Sequence, residues 1–562
     1  MKNLLIVLAF FPLCLGAKET QLNIVPAPRE IVLDKGSFNI RGAGFNYATG
    51  LEERTVRAIA KLADDVSAAT GKRSSIASSA GVSAKTPASA LKGVYFIQDK
   101  EVAPENYEIE IARKGIKVSA SDHNGFFYAV QTLRQMLPEG NYLGQAGGSW
   151  TLPQCRISDG PRFAYRGMHL DACRHFWSIG ETKKYLDVMA MYKLNRFHWH
   201  LTDDQGWRIQ INKYPLLTEV GAFRDGTMVG YDFSSNDGKR YGGYYTQEQI
   251  REIVAYAWER GITVIPEIEL PGHMVAALTA YPELGCTGGP YKVWTVWGVA
   301  EDILCVGKES SFDFLEGVLD EVCELFPSEY IHIGGDESPR KRWEECPLCQ
   351  AKADELGLIS DDKGTREQKL QNYVTARVQE YLAAKGRKII GWDEILEGEL
   401  APGATVMSWR GASGGIYAAN KGFDVIMSPN SYMYFDYQQG AIENEPAGPF
   451  YIKTPLTLEK VYSFDPYENL DIDAQKHILG VQANLWTEYV ASPEHLEYML
   501  LPRMLALAEV QWTPAEGRNY ENFLNALTGR QEAVLKLLGY TYRASSTDAL
   551  GEEATPSFHT SE

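Results

Sequence analysis

The amino-acid sequence predicts a (β/α)8 barrel preceded by a small α+β domain, an α/β protein overall, and three observations carry that prediction. Beyond Asp159, eight short apolar runs recur over roughly 350 residues, most of them preceded by an amphipathic helical stretch. Nearly all of these runs end in carboxylates, histidines or tryptophans, at what would be the C-terminal ends of parallel strands, where a barrel keeps its functional groups. Before Asp159 the rhythm differs: strands alternate with two helical stretches, and catalytic residue types do not cluster.

The elements follow in order. Met1-Lys2-Asn3 gives a short basic start, and Leu4 to Gly16 is apolar but too short to span a bilayer. Small Gly16 and Ala17 precede polar Lys18-Glu19-Thr20, so residues 1–17 read as a cleaved secretion signal leading to a periplasmic or extracellular protein. Cys14 would suit a lipid anchor, but Phe11-Pro12-Leu13 before it lacks the small residues expected there. The α+β domain occupies residues 18–158. Its strands include Tyr107–Ala112 and Gly115–Ala120, its helices Glu52–Thr70 and Gly125–Leu137, and Ala80–Ala90 is a Ser/Ala-rich loop.

The barrel is expected over residues 159–515. Its runs are Tyr165–Leu170 before Asp171, Arg196–Leu201 before Asp203, Ile262–Pro266 before Glu267, and Tyr330–Ile333 before Asp336 and Glu337. Lys388–Gly391 then precedes Trp392 and Asp393, Ala404–Ser408 precedes Trp409, Phe423–Met427 precedes Tyr432–Asp436, and Ile478–Gln482 precedes Trp486 and Glu488. The fifth and sixth runs lie so close together that their connecting helix must be short or missing. A helical segment closes the chain at residues 516–545, and the polar tail 546–562 is expected to be disordered.

Composition narrows the function. With a net charge of −18 and no basic tract, the chain has nothing to neutralise phosphates, which argues against nucleic acid as a partner. No segment after the leader is apolar enough to cross a membrane. Seven cysteines follow the leader, and export permits disulfides. Cys286 and Cys305 bracket a Gly- and Trp-rich loop and are expected to pair; Cys346-Pro-Leu-Cys349 reads as a second bridge or a redox pair. A zinc site there would need two more ligands nearby, and none is evident in the sequence, so neither metal nor cofactor is expected.

The chemistry concentrates at Ile331-His-Ile-Gly-Gly-Asp-Glu337, where two adjacent carboxylates follow a glycine pair at the end of an apolar run. Consecutive side chains of a regular strand face opposite ways, so Asp336 and Glu337 serve one cavity only if the backbone turns at Gly334-Gly335. Alone, the pair reads as a solvated acidic turn. Around it the other strand ends add Asp171, Arg174, Asp203, His273, Asp393, Asp436, Glu488 and the tryptophans 392, 409 and 486. There is no phosphate-binding glycine loop and no Gly-x-Ser-x-Gly elbow. Acids for proton transfer, rings for an apolar pocket and an arginine with acids for hydroxyls suggest a glycosidase.

The same residues resemble family 20 β-N-acetylhexosaminidases. The resemblance rests on His332–Glu337, Gly167–Phe176, His198–Trp207, Gly391–Glu394 and Asn484–Glu488, and reaches the N-terminal domain through Ile24–Arg29 and Asp122–Leu137. It implies an exo-acting, retaining enzyme whose partner is an oligosaccharide or glycoconjugate ending in an N-acetylhexosamine. It further implies that the substrate's own acetamido oxygen is the nucleophile, giving an oxazolinium ion. On this reading Glu337 is the acid and base, Asp336 orients the acetamido N–H, and Tyr434 donates to the acetamido oxygen. Trp392, Trp409 and Trp486 would enclose the methyl group, while Arg174, Asp436 and Glu488 bind hydroxyls. His273, near Asp203, would position Glu337. Alternatives are a narrower member such as a lacto-N-biosidase, or a glycan-binding protein that has lost catalysis. Arg174 also has a simpler role open to it as an ion-pair partner of Asp171. His198, His200 and His332 read as core residues rather than metal ligands, and Trp294 and Trp297 suit either an outer subsite or loop packing.

Overall fold

A computed structural model describes residues 22–398, 400 and 402–545. The expected leader, Cys14 and the tail 546–562 lie outside the described residues. The N-terminal domain is one mixed sheet of seven strands, in spatial order Glu30–Asn39, Thr151–Asp159, Tyr107–Ile111, Gly115–Ala120, Gly93–Gln98, Phe45–Ala48 and Ile76–Ser79. Tyr107-Glu-Ile-Glu-Ile111 shows how its core forms: Tyr107, Ile109 and Ile111 are buried while the glutamates face outward, the period-2 pattern of a sheet with one covered face.

Two helices cover that face. Glu53–Thr70 is amphipathic, burying Ile59, Leu62, Ala63 and Val66. His123–Gln135 starts at Asp122, whose side chain accepts from the Gly125 amide at 2.8 Å. Nearly every residue of this second helix is buried, because it is wedged between the sheet and the barrel. On its barrel side the Tyr128 ring meets Trp512 edge-on at 5.2 Å, and the Tyr128 hydroxyl accepts from Arg166 at 2.7 Å.

The eight apolar runs form one closed parallel barrel, Tyr165–Asp171, Arg196–His200, Thr263–Glu267, Tyr330–His332, Lys388–Trp392, Thr405–Ser408, Val425–Met427 and Ile478–Ala483, with the last strand pairing back onto the first. Tyr165, Ile265, Ile390, Trp392, Met407 and Ile426 fill its interior, as expected for a packed barrel rather than a pore. Helix starts are locally encoded: Ser178 with Glu181, Thr246 with Gln249 and Thr365 with Gln368 each form a reciprocal capping box. Among the described residues, the fifth and sixth strands are joined only by the 3-10 turn Asp393–Leu396, the shortening expected there. No helix of the described residues is long and apolar enough to cross a membrane.

The domains are joined by buried polar groups. Asp159, ending the last strand of the sheet, accepts from Trp512 Nε1 at 2.9 Å and pairs with Lys193 at 3.1 Å. Beside it Arg166 pairs with Glu105 at 3.0 Å. The cysteines differ from expectation. All seven described cysteines are free, so the expected Cys286–Cys305 bridge is not formed. Cys286 and Cys305 instead converge with Cys346 and Cys349, which supplies the two neighbours that the Cys-Pro-Leu-Cys run lacks along the chain. Two loops distant in sequence meet only once the barrel closes.

Burial pushes the Glu105 carboxyl up, but Arg166 wins and holds it at about 2. A carboxylate depressed from 4.5 stabilises the fold above its unfolded pKa and loses that contribution as pH falls toward about 2. Glu105→Gln is therefore expected to cost roughly 2 to 3 kcal/mol at pH 7. In denaturant titrations the gap from wild type should narrow below pH 4; a gap independent of pH would contradict the ion-pair account.

Candidate active site

The fourth barrel strand stops at His332, and the backbone turns immediately after it. Gly334 has φ +63°, and a Cβ there would stand 1.7 Å from a carboxyl oxygen of Glu269, so only glycine fits. Gly335 follows at φ +93°, and Glu337 itself sits at φ +41°, a left-handed conformation that non-glycine residues adopt at a cost. The turn brings both acids to one partner. His273 Nε2 lies 3.7 Å from Asp336 Oδ2 and 3.6 Å from Glu337 Oε2.

His273, also left-handed at φ +49°, is held from its other side: Nδ1 lies 3.3 Å from Asp203 and 3.2 Å from Asp204. Burial opposes protonation of the imidazole, but the neighbouring carboxylates, Asp203 foremost, hold its pKa well above the usual range. Each acid then answers to its own surroundings. Burial pushes Asp336 up to about 6 despite the opposing charge of His273, with Glu267 and Glu337 adding to the rise. Burial also pushes Glu337 upward, yet its bond to His273 and the charges of His273 and Arg174 win, leaving it below the usual carboxylate range. Asp336 Oδ1 is buried without a hydrogen-bond partner among the described residues.

Beside these acids an arc of rings lines the barrel mouth. Trp392 and Trp486 lie with centroids 5.9 Å apart, Trp486 and Tyr434 6.4 Å apart, and Trp409 stacks on Tyr434 at 6.0 Å. Trp392 is anchored from below by donating Nε1 to Glu267 at 2.8 Å, and Trp409 by donating to Glu394 at 2.9 Å. Asp393 accepts from the Trp409 amide at 3.0 Å and from Arg410 at 2.7 Å, so it braces the sixth strand end rather than facing the pocket.

Arg174 makes the ion pair with Asp171 and further contacts beside it. Its Nε donates to Gln205 at 2.9 Å, one Nη pairs with Asp171 at 3.2 Å and the other with Asp203 at 3.0 Å. Glu488 lies 3.7 Å away on the open side. Burial and the nearby Glu488 push the Asp436 carboxyl well above its usual range, and Asp436 Oδ1 has no partner among the described residues. The predicted residues Asp203, His273, Asp336, Glu337, Trp392, Trp409, Tyr434, Trp486, Arg174 and Glu488 are thus linked contact by contact at the C-terminal ends of the strands. Trp297 packs inward, 5.7 Å from the His175 ring and 5.2 Å from the Arg224 guanidinium.

Sequence reasoning overlooked Glu267, Asp204, Glu269 and Glu394 as parts of the site. Glu267 is completely buried among His198 at 3.1 Å, His332 at 2.9 Å and His200. The signal was present as acids at strand ends beside recognised ones, in Pro266-Glu-Ile-Glu269 and Asp203-Asp204. These His–carboxylate groups bring possible metal ligands together, and at their centre His200 engages both ring nitrogens, one with Glu267 and the other with Asp203 at 2.8 Å.

The model of "Glycosyl hydrolase family 20, catalytic domain" matches residues 163–515, and that of "Glycosyl hydrolase family 20, domain 2" matches residues 21–160. The chain belongs to glycosyl hydrolase family 20. Among curated family relatives, a beta-hexosaminidase of Porphyromonas gingivalis is 47% identical over 75% of this chain and 52% of its own length. A beta-hexosaminidase of Vibrio furnissii is 39% identical over 72% of this chain and 64% of its own. The chain therefore spans about half to two thirds of these relatives. The solved exo beta-N-acetylglucosaminidase of Vibrio harveyi, in complex with N-acetylglucosamine, superposes with a TM-score of 0.78 at 32% identity, covering 93% of this chain and 78% of that one.

The raised Asp336 pKa has a stability consequence with a definite sign. A carboxyl raised from 3.8 to about 6 stays protonated in the fold while the unfolded chain ionises, so stability falls as pH rises through that window and the penalty is complete above pH 7. Asp336→Asn should melt at a higher temperature than wild type at pH 7.5, by an amount equivalent to roughly 2 to 3 kcal/mol. The difference should close as pH falls below the raised pKa; equal melting temperatures at pH 7.5 would refute the strained-acid description.

Proposed function

We propose that the protein is an exo-acting β-N-acetylhexosaminidase that releases terminal, non-reducing β-linked GlcNAc or GalNAc with retention, through an oxazolinium ion formed by the substrate's acetamido group. The observation that carries this reading is that Asp336 and Glu337, adjacent in the chain, both lie within 3.7 Å of one imidazole nitrogen. Retaining glycosidases with a protein nucleophile set two carboxyls across the scissile bond, about 5 to 5.5 Å apart, to act from opposite sides. Two acids sharing one partner suit another division of labour. The N-acetylglucosamine held by the Vibrio harveyi relative supports the substrate class.

In this mechanism Asp336 Oδ1 accepts the acetamido N–H and turns the carbonyl oxygen toward the anomeric carbon. Tyr434, kept protonated by burial, donates to that oxygen, and the arc of tryptophans excludes water around the methyl group. Glu337 protonates the leaving oxygen and then takes a proton from water. The free-state pKa order reverses on binding for physical reasons. An N–H donated to Asp336 favours its charged form, while a sugar covering the half-exposed Glu337 strips its water beside that charge and favours the neutral acid.

Hydroxyl recognition follows from counting donors. A guanidinium has five N–H groups, and in Arg174 three are engaged by Gln205, Asp171 and Asp203. The remaining two, one on each Nη, suit a pair of adjacent hydroxyls. Asp436 and Glu488 complete the end of the pocket, which supports exo action.

The protein is expected to hydrolyse p-nitrophenyl β-GlcNAc; a clean absence of turnover would defeat the proposal. Glu337→Gln is expected to lose about 10²- to 10⁴-fold on an oligosaccharide and far less on an activated aryl glycoside that leaves without protonation. Equal losses on both substrates would contradict the acid role of Glu337.

A further inference from the structure

Four cysteines meet beside the barrel mouth, contributed by two different loops. Cys286 and Cys305 belong to the segment after the third strand; Cys346 precedes, and Cys349 lies within, the helix Pro347–Glu355 after the fourth. Their sulfurs are 3.8 Å apart for Cys286 and Cys349, 3.7 Å for Cys305 and Cys346, and 3.6 Å for Cys305 and Cys349, and all four lie within 4.8 Å of one another. A disulfide would need about 2.05 Å. A tetrahedral ion with metal–sulfur bonds of about 2.3 Å spaces its sulfurs about 3.8 Å apart, which the three separations match.

We propose that Cys286, Cys305, Cys346 and Cys349 together bind one structural Zn2+. The surroundings are built to hold this convergence. Gly307 lets the loops touch, since a Cβ there would lie 2.2 Å from the Leu348 carbonyl carbon. The Cys305 amide donates to Leu284 at 2.8 Å, and buried Trp343 donates Nε1 to Leu304 at 2.9 Å, locking the second loop onto the first. Lys308 docks its ammonium on the carbonyls of Glu283 and Gly285, beside Cys286, where it offsets the net negative charge of a four-thiolate zinc centre.

Four protein thiolates fill a tetrahedral shell and leave no position for water or substrate, so the ion is structural rather than catalytic. Its position gives it a purpose. The first loop begins with His273 and the second with Asp336 and Glu337, so a metal joining their far ends fixes the two sides of the catalytic acid's contact relative to each other. This assignment replaces both the expected bridge and the expectation that no metal is bound.

Oxidation is the competing fate of these sulfurs, and the export expected from the leader would favour it. The test uses the full chain, purified without chelators or metal-affinity resin. Its metal content is measured by plasma mass spectrometry, and its cysteines are mapped after alkylation in non-reducing denaturant with chelator. The expected result is close to one zinc per chain with all four cysteines alkylated. Cys349→Ser should lose the zinc and melt at a lower temperature, whereas Cys323→Ser, on a helix outside the cluster, should retain it. Zinc below about a tenth of an equivalent, stoichiometric iron in its place, or disulfide-linked peptides among the four would overturn the assignment.

Discussion

His273 carries its proton between four carboxylates, Asp203 and Asp204 on the Nδ1 side and Asp336 and Glu337 on the Nε2 side, and the character of the acids follows from that arrangement. A neutral imidazole would leave two adjacent acids repelling each other with no cation between them. The cation lets both approach one point, and Asp203 transmits the constraint outward. One Asp203 oxygen faces His273, and the other binds His200 at 2.8 Å and Arg174 at 3.0 Å. The two acids and Arg174 are therefore joined through His273 and Asp203 in one chain of ion pairs and hydrogen bonds, which continues through His200 to the buried Glu267 and the Nε1 of Trp392.

This arrangement costs stability. His273 and Glu337 both adopt left-handed backbone conformations, Asp336 and Asp436 each keep a buried carboxyl oxygen without a partner among the described residues, and Glu394 is pushed up to about 8 by burial and the charge of Asp336. Such features persist only where the surrounding structure determines them. The barrel supplies that support through its filled interior, the pairing of Glu267 with its histidines, and the Asp159–Lys193 and Glu105–Arg166 pairs that join it to the N-terminal sheet. Groups that are poorly satisfied in the free protein are the ones a sugar's amide and hydroxyls can satisfy.

Much of this was legible in the chain because the signals are local. Eight apolar runs ending in functional residues specify a barrel, and Gly334-Gly335 announces the turn that lets adjacent acids share a cavity. What escaped the sequence depends on closure in three dimensions. Cys286 and Cys349 come together only when consecutive barrel loops meet, so spacing along the chain suggested the wrong pairing. Glu267 read as one more strand end, because its histidines come from the second and fourth strands. Arg174 seemed to face a choice between ion pair and substrate contact; a planar fork with five donors can make both.

The central claim is that the substrate supplies the nucleophile while Asp336 and Glu337 position and protonate. The most direct measurement is the rate of hydrolysis across β-glycosides whose N-acetyl group carries zero, one, two or three fluorines. Fluorine withdraws electrons from the acyl oxygen without altering the leaving group or the pyranose ring. The account predicts that kcat/KM falls steeply and monotonically with fluorination. A flat series would mean that a protein carboxylate attacks instead, and would contradict it.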